Sequence, residues 1–314
     1  MNPGALDIIT LGVHVLDVHV RHVETIPGGS EGQLVDQIRM SAAGTAGGTA
    51  VVLAKLGARV SSMGATGDDP LSHVLRDLLA AHDIDLTGLV TRGEVQTSAS
   101  VLPVRPNGDR PAWHCIGANG SFTVDDVDLD RIAAADVLHL GGPEFLGGDA
   151  AAGILRHARE HGTVTAADLL APGDPDMLEW VGAALPYVDF FLPNDEQLLG
   201  LTGTATLEDA AAALVERGVR CVAVTCGAEG ALVATADGAS RVPAFKVEVM
   251  DTTGCGDAFS AGFLLGIAAG RTPEQAAVLG NATAAQVVQG VGSDHGEFDL
   301  ASVDAFAEST PAYG

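Results

Sequence analysis

The sequence is poor in aromatic and basic residues, and both shortages limit what the protein can do. Phe, Trp and Tyr make up only 4% of the 314 residues, whereas apolar residues make up 47%, so the core must consist mainly of Ala, Val and Leu. Lys and Arg number 16 against 41 Asp and Glu, which gives a formal charge of −25 at pH 7. Nucleic acids and anionic membranes attract proteins through Lys and Arg, so we expect this chain to bind neither.

Cysteine is also scarce, and its spacing excludes two kinds of site. The four cysteines, Cys115, Cys221, Cys226 and Cys255, form no Cys-x-x-Cys pair, which argues against a zinc site and a disulfide framework. The N-terminus has no basic segment followed by a long apolar one, so no signal peptide is predicted. No apolar run approaches the roughly 18 residues that cross a bilayer. We expect a cytoplasmic protein.

Short β-branched segments alternate with helical patterns along most of the chain. The predicted strands are 7–11, 60–65, 137–140, 164–167, 190–192 and 219–225. The predicted helices include 71–82, 150–161 and 207–217. Thr206 with Asp209, and Thr272 with Gln275, have the spacing of helix N-caps. Strands that alternate with helices of this length predict βαβ units and an α/β fold with a parallel sheet.

Two segments break this alternation. Residues 13–40 are polar and strand-like with a period of two, and residues 97–115 resemble two strands around an Asn-Gly turn. The two segments could pair into a small separate sheet, or they could add edge strands to the main sheet. The pattern alone leaves both arrangements open.

The segment DTTGCGDAFSAGF, residues 251–263, places glycines directly before an apolar, helix-compatible run. A helix that starts near Gly256 leaves its first backbone amides without intrahelical partners, and together with the helix dipole they form an anion site that fits a phosphate. Asp257 then either takes a proton from a hydroxyl that attacks the phosphate, or merely complements the helix dipole. The chain has no GxxxxGK[ST] motif, and no GxGxxG follows the first strand, so a P-loop and a dinucleotide-binding fold are not indicated.

This segment resembles the C-terminal signature of the ribokinase-like carbohydrate kinases of the phosphofructokinase-B type, which usually reads DTTGAGDAF. Other segments resemble that family in the same order, from about residue 7 to residue 295. They are LGVHVLDVHV at 11–20, AGTAGGTAVVLAKLG at 43–57, GATGDDP at 64–70, GAN at 117–119, PNDEQ at 193–197, TCGAEG at 225–230 and NATAA at 281–285.

The resemblance implies a fold and a reaction. The fold would be a single ribokinase-like domain over residues 1–314, an α/β/α sandwich with a small β-sheet lid formed by segments near 13–40 and 97–115. The reaction would be transfer of the γ-phosphate from ATP, with Mg²⁺, to a hydroxymethyl group of a small sugar. A nucleoside kinase and a non-catalytic sugar or nucleotide sensor are the alternatives. The resemblance also implies a homodimer formed through the lid.

The resemblance further implies roles for individual residues. Asp257 would be the general base, and the backbones of Gly254, Cys255 and Gly256 would form the anion hole. The residues implied to bind the acceptor are Asp17, Gly44 and Gly48. Glu144 is a further candidate because it follows a predicted strand, at the carboxyl edge where open sheets bind ligands. The residues implied to bind the nucleotide are Asn194, Thr225, Gly227, Gly230 and Asn281. Asp251 and Thr253 would bind a monovalent cation such as K⁺. Glu196 and Gln197 would lie near Mg²⁺ and contact it through water.

Two positions depart from the family pattern. Gly48 stands where the family usually has an Asn that contacts sugar hydroxyls, and Gln197 stands where it has a Glu. The missing amide removes at least one hydrogen bond to the acceptor, a net loss of about 0.5–1.5 kcal/mol. The neutral Gln is less suited to the coordination of Mg²⁺ than a carboxylate. We therefore do not expect plain ribokinase activity.

Overall fold

The computed structural model describes residues 6–106 and 109–313, which form thirteen strands and eleven α-helices. The strands are β1 (Asp7–Gly12), β2 (Val15–Arg21), β3 (Gln37–Ala43), β4 (Arg59–Gly67), β5 (Asp85–Arg92), β6 (Ala99–Val104), β7 (Trp113–Cys115), β8 (Val137–Gly141), β9 (Val164–Asp168), β10 (Phe190–Phe191), β11 (Cys221–Thr225), β12 (Ala231–Thr235) and β13 (Gly238–Val242). The helices are α1 (Gly47–Lys55), α2 (Pro70–Ala80), α3 (Leu129–Ala133), α4 (Pro143–Leu146), α5 (Gly148–Glu160), α6 (Pro175–Val181), α7 (Asp195–Thr202), α8 (Leu207–Glu216), α9 (Cys255–Ala268), α10 (Pro273–Val287) and α11 (Leu300–Ser309).

A nine-stranded sheet forms the centre of the molecule, in the order β13-β12-β11-β10-β9-β8-β1-β4-β5. The pairs from β11 through β1 to β5 are all parallel, and β12 and β13 are added antiparallel at one edge. The six predicted strands are all present, as β1, β4, β8, β9, β10 and β11. Parallel strands point their carboxyl ends to one edge, which is where open α/β sheets bind ligands.

Helices cover both faces of this sheet, so its central strands, such as β1, β8, β9 and β11, are buried on both sides. Apolar side chains of α1, α2, α9 and α10 pack into one core cluster, and those of α5, α7 and α8 pack into another. The predicted helix starts are confirmed, because Thr206 accepts a hydrogen bond from the amide of Asp209. Thr272 and Gln275 likewise form a reciprocal capping box at the start of α10.

The two segments that break the alternation pair with each other and form a separate four-stranded sheet, in the order β3-β2-β6-β7. Strand β2 pairs antiparallel with β3 and parallel with β6, and β7 pairs antiparallel with β6. The arrangement as edge strands of the main sheet, which the pattern left open, is therefore excluded. The predicted Asn-Gly turn at residues 107–108 lies outside the described residues.

None of the described helices is by itself long and apolar enough to cross a bilayer. Helices α7 and α8 are long and apolar enough to do so only when taken together, and they are bent by 63° relative to each other.

Candidate active site

Two pockets meet at the N-terminal end of α9. The acidic pocket is lined by the carboxylates of Asp17, Asp168 and Asp257 together with Arg110. The apolar pocket is lined mainly by hydrophobic side chains, among them Phe245, Val247, Val249, Phe259, Ala284 and Val288. Gly256 lines both pockets, so a group bound at the start of α9 can be reached from either side.

The start of α9 depends on a glycine in the left-handed region. Gly254 is the N-cap with a φ of 74°, and a side chain there would overlap Ser293. The amide of Cys255 donates to the carbonyl of Thr252 at 3.3 Å. Within the described part of the chain, the amides of Gly256 and Asp257 donate to no protein acceptor. These free amides and the positive end of the helix dipole form a site that attracts an anion.

Asp257 projects from the first turn of α9 into the acidic pocket. Burial, followed by the nearby charge of Asp17, raises the pKa of Asp257 to about 7, and the positive charge of Arg110 opposes this rise. A carboxylate with a pKa near neutral can accept a proton and still be largely ionised at physiological pH. Burial also raises the pKa of the Cys255 thiol to about 12, so this neighbour is no nucleophile.

Gly48 lies directly beneath Asp257 on the first turns of α1. A Cβ atom at position 48 would overlap Oδ2 of Asp257 and would lie 2.8 Å from its Cγ. Position 48 does not line the acidic pocket, whereas Gly44 does. The absence of a side chain at 48 therefore leaves the space in which the Asp257 carboxylate sits.

Asp17 reaches the acidic pocket from β2 of the small sheet. Its side chain is almost fully buried, and burial raises its pKa, although His19, the hydroxyl of Ser100 and the positive charge of Arg110 oppose the rise. The small sheet thus contributes an acceptor of hydrogen bonds opposite Asp257.

Glu144, the candidate that follows a strand at the carboxyl edge of the sheet, supports the backbone beside the acidic pocket. Its Oε1 accepts hydrogen bonds from the amides of Leu170 and Ala171 at 2.8 and 3.0 Å. It does not line the acidic pocket, and burial raises its pKa. Glu144 holds the loop that follows β9, and this loop supplies Leu170 to the pocket.

Two residues of the acidic pocket, Asp168 and Arg110, were not expected from the sequence. Asp168 ends β9 and accepts from the amide of Leu169 at 2.8 Å. Burial, together with the charge of Asp257, raises the pKa of Asp168 well above its usual value. A carboxylate at the end of a predicted parallel strand is a signal that could have identified Asp168. Arg110 lies in the connection between β6 and β7, where Nε donates to Oγ1 of Thr252 at 3.3 Å, and no sequence pattern indicates it.

The residues implied to bind a nucleotide divide between the two pockets. Those that line the apolar pocket are Thr225, Gly227, Gly230 and Asn281. Asn281 donates its Nδ2 hydrogens to the carbonyls of Val242 and Pro243, both at 3.1 Å, and so also anchors the end of β13. Asn194 lines the acidic pocket instead.

Gln197 is engaged in hydrogen bonds within the fold. Its Oε1 accepts from the amide of Asn194 at 3.0 Å, which completes the capping box of α7. Its Nε2 donates to the carbonyls of Leu169 and Ala171 at 2.8 and 3.3 Å. An ionised glutamate could not donate these two hydrogen bonds, which gives a structural reason for a glutamine at position 197. The neighbouring Glu196 is exposed to solvent.

The buried carboxylate of Asp251 does not fit the monovalent cation that the resemblance implies. Oδ1 accepts from the amide and the hydroxyl of Thr253 at 2.9 and 2.6 Å. Oδ2 accepts from the amide of Gly292 at 3.0 Å and faces Nδ1 of His19 at 3.5 Å. A carboxylate offers about four acceptor positions, and protein groups occupy or face all of them. Burial alone would raise the pKa of Asp251, but its contacts with His19, Thr253 and Gly292 outweigh burial and lower it.

The chain is similar to known proteins over most of its length. The model of the pfkB family of carbohydrate kinases matches residues 11–298. An ATP-dependent ribose-1-phosphate kinase from Halopiger xanaduensis is 33% identical over 79% of this chain and 80% of that protein. An adenosine kinase from Sinorhizobium meliloti is 26% identical, with a TM-score of 0.80 and coverage of 97% of this chain and 100% of that one. A ribokinase from Arabidopsis thaliana, complexed with ribose and ATP, is 22% identical, with a TM-score of 0.80 and coverage of 97% and 99%. The expected three-layer fold with a smaller sheet is confirmed.

Proposed function

Because the chain belongs to the pfkB family of carbohydrate kinases, we propose that it transfers the γ-phosphoryl group of ATP to a hydroxymethyl group of a small sugar. The observation that carries this proposal is the position of Asp257, which lines the acidic pocket next to Gly256, where the two pockets meet, and beside the free amides at the start of α9. In this proposal residues 1–314 act as one kinase domain, and the small sheet is its lid.

The proposed reaction brings its two substrates together from opposite sides of α9. The acceptor hydroxyl lies in the acidic pocket beside Asp257, and ATP enters from the apolar pocket. Asp257 takes the proton of the hydroxyl while the hydroxyl oxygen forms a bond to the γ-phosphorus. The bond between this phosphorus and the bridging oxygen breaks, and ADP leaves with the electron pair. The amides of Gly256 and Asp257, which donate to no protein acceptor among the described residues, stabilise the charge on the transferred group.

The start of α9 has the space that a phosphate needs. No protein atom lies within 4 Å of the position that a Cβ of Gly256 would take, so an anion can approach this backbone closely. Mg²⁺ would be held mainly by phosphate oxygens, with Glu196 as a candidate for a contact through water, and it would neutralise phosphate charge. No group of three His, Cys, Asp or Glu side chains that could hold a metal occurs among the described residues. A cytoplasmic location belongs to this proposal, because the reaction draws on cellular ATP.

The acidic pocket supports a sugar acceptor more than a nucleoside. Its polar lining includes Asp17, Thr45 and Asn194, which can accept hydrogen bonds from several hydroxyls. None of the described residues that line this pocket is aromatic, whereas a nucleobase commonly stacks on an aromatic ring. The similarity to an adenosine kinase keeps a nucleoside as the alternative acceptor.

The proposed function is tested by measuring ADP release from Mg·ATP with a panel of pentoses, hexoses, sugar acids, ribose 1-phosphate and nucleosides. We expect release that depends on one class of sugar. Release with nucleosides alone would establish the alternative acceptor. Calorimetric binding of both ATP and a sugar without any ADP formation would identify a sensor instead.

The charge of Asp17 should add to the effect of burial and raise the pH at which the enzyme becomes active. Because the pKa of Asp257 is raised to about 7, kcat/KM should rise with pH and reach half of its maximum near pH 7. Replacement of Asp17 by Asn removes a negative charge that raises this pKa, so the midpoint should move to lower pH even though kcat/KM falls. The exposed Asp149→Asn variant is the control and should keep the midpoint of the wild type.

The outer face of the small sheet supports a homodimer formed through the lid. Ile38 and Met40 lie on β3, Val101 lies on β6 and Trp113 lies on β7, and these residues are 40–64% exposed. Val18 of the intervening strand β2 pairs with both Met40 and Val101, and Val101 pairs with Trp113, so the patch runs across the sheet. A contiguous apolar patch of this kind commonly marks a protein interface. By light scattering we expect a mass near twice the 31.8 kDa of one chain.

The substitution Met40→Glu should reduce this mass to that of one chain, because it places a charge in the centre of the patch. The control Val278→Glu, at an exposed position of α10, should leave the mass unchanged. A wild-type mass near 31.8 kDa would refute the dimer.

A further inference from the structure

A histidine of the small sheet makes a buried contact with the loop that leads into the anion hole. His19 lies on β2, and its side chain has no exposed surface. Its Nδ1 is 3.5 Å from Oδ2 of Asp251, whose side chain is also fully buried. Its Nε2 is 2.8 Å from Oγ of Ser41 on β3. The imidazole therefore bridges the small sheet and the loop at residues 251–254.

The surrounding hydroxyls favour a proton on Nδ1 of His19. The hydroxyl of Ser293 donates to the carbonyl of Ala42 at 2.7 Å and lies 3.2 Å from Oγ of Ser41. The hydrogen of Ser41 is then free to be donated to Nε2 of His19. With Nε2 as an acceptor, the ring proton of a neutral imidazole lies on Nδ1, on the side that faces Asp251.

A cation beside Asp251 would have to displace one of the groups that now contact it. Three donors from Thr253 and Gly292 lie at 2.6–3.0 Å from the carboxylate oxygens, and His19 faces the remaining position. The carboxylate is thus satisfied within the protein. The buried carboxylate of Asp251 needs a favourable partner, whether a cation or His19, because an isolated buried carboxylate is costly.

This contact acts on the reaction through the anion hole. Asp251 lies three residues before Gly254, the N-cap of α9, and its oxygens hold Thr253 and the segment at Gly292. Fixing Asp251 therefore fixes the backbone from which the free amides of α9 begin. We propose that His19 takes the place of the monovalent cation in ordering this loop, so that phosphoryl transfer by this chain does not require K⁺. The proposal rests on the kinase function proposed above.

The first test compares wild-type activity in different cations. ADP release is measured with Mg·ATP and the acceptor in 100 mM tetramethylammonium, sodium or potassium chloride. We expect rates that agree within about twofold. The melting temperature is measured in the same three salts without substrates, and we expect equal values, because K⁺ has no carboxylate position to occupy.

Two substitutions separate the two nitrogens of the imidazole. His19→Gln retains an amide that can reach Ser41 but loses the donor toward Asp251, whereas His19→Asn retains a donor near the position of Nδ1. His19→Gln should lose roughly tenfold to hundredfold in kcat without K⁺, since the polar contact that faces the charged carboxylate of Asp251 is lost. This variant should recover in K⁺ and not in tetramethylammonium, and K⁺ should raise its melting temperature. His19→Asn should remain independent of K⁺.

Each remaining outcome decides against the proposal or against its premise. A wild-type enzyme that is active only with K⁺, or a melting temperature that rises with K⁺, overturns it. A His19→Gln variant whose lost activity does not return in K⁺ also overturns it, because His19 then does not substitute for the cation. Absence of ADP with every acceptor refutes the kinase function alone, and the melting temperatures in the three salts still decide the role of His19.

Discussion

The Asp257→Asn variant is expected to form ADP about 10²–10⁴ times more slowly than the wild type, with little change in its affinity for ATP. Asn is similar in size and shape to Asp but cannot take the proton of the acceptor hydroxyl. Asp257 faces the acidic pocket, whereas the hydrophobic side chains proposed to hold the nucleotide line the apolar pocket. The loss should therefore appear in kcat, measured by steady-state ADP release at saturating acceptor.

The same variant distinguishes the two roles that the sequence left open for Asp257. If this carboxylate only complements the dipole of α9, its replacement would cost about 0.3–1 kcal/mol of stability and leave the rate nearly intact. A melting temperature that falls slightly while kcat stays within a few-fold of the wild type would therefore contradict the role as a base. The Asp149→Asn variant, which removes one exposed carboxylate outside both pockets, controls for the change in net charge.

Features that depend on local patterns could be predicted from the sequence. The start of α9 follows from glycines placed before an apolar run, and Gly254 indeed adopts the left-handed conformation as its N-cap. The cap at Thr272 follows from a Thr-Pro-x-Gln spacing. The main sheet follows from the alternation of strands and helices. Each of these signals is local, or is a repetition of local signals along the chain, so no knowledge of tertiary contacts is needed.

Features that depend on contacts between distant segments could not be predicted in this way. Gln197 stands at a position that the resemblance links to metal, yet its amide donates to the carbonyls of Leu169 and Ala171, 28 and 26 residues away. The contact between His19 and Asp251 joins strand β2 of the small sheet to the loop that precedes α9. The pairing of the two segments of the small sheet was equally open until the resemblance was considered. In each case the partner is determined by the three-dimensional path of the chain.

Gly48 is the clearest example, because its inferred role changes once its contact with Asp257 is known. From the sequence, this glycine is only the loss of an Asn that would contact a sugar. In the structure, the space beside Gly48 is filled by the carboxylate of Asp257, and a Cβ there would lie 2.8 Å from Cγ of Asp257. The glycine therefore positions the proposed base, in addition to removing a contact with the acceptor.

The Gly48→Ala variant should consequently lose about 10²-fold in kcat while it remains folded. The clash is with the end of a flexible side chain, so Asp257 can rotate away while the backbone of α1 stays in place. A displacement of about 1 Å from the reacting hydroxyl is enough for a loss of this size. Alanine also favours a helix over glycine by about 1 kcal/mol, so the melting temperature should not fall by more than a few degrees.

The matched control for this variant is Gly153→Ala in α5, because no protein atom lies within 4 Å of the new methyl group there. It makes the same substitution within a helix and should retain full activity. The Gly48→Asn variant then distinguishes two roles of this position: the loss of a contact with the acceptor, and the provision of space for the carboxylate of Asp257. If the amide missing from the family pattern is the main loss, Asn should lower the KM for the acceptor. If Gly48 exists to seat Asp257, Asn should lower kcat further than Ala does, because its side chain fills more of the space that the carboxylate occupies.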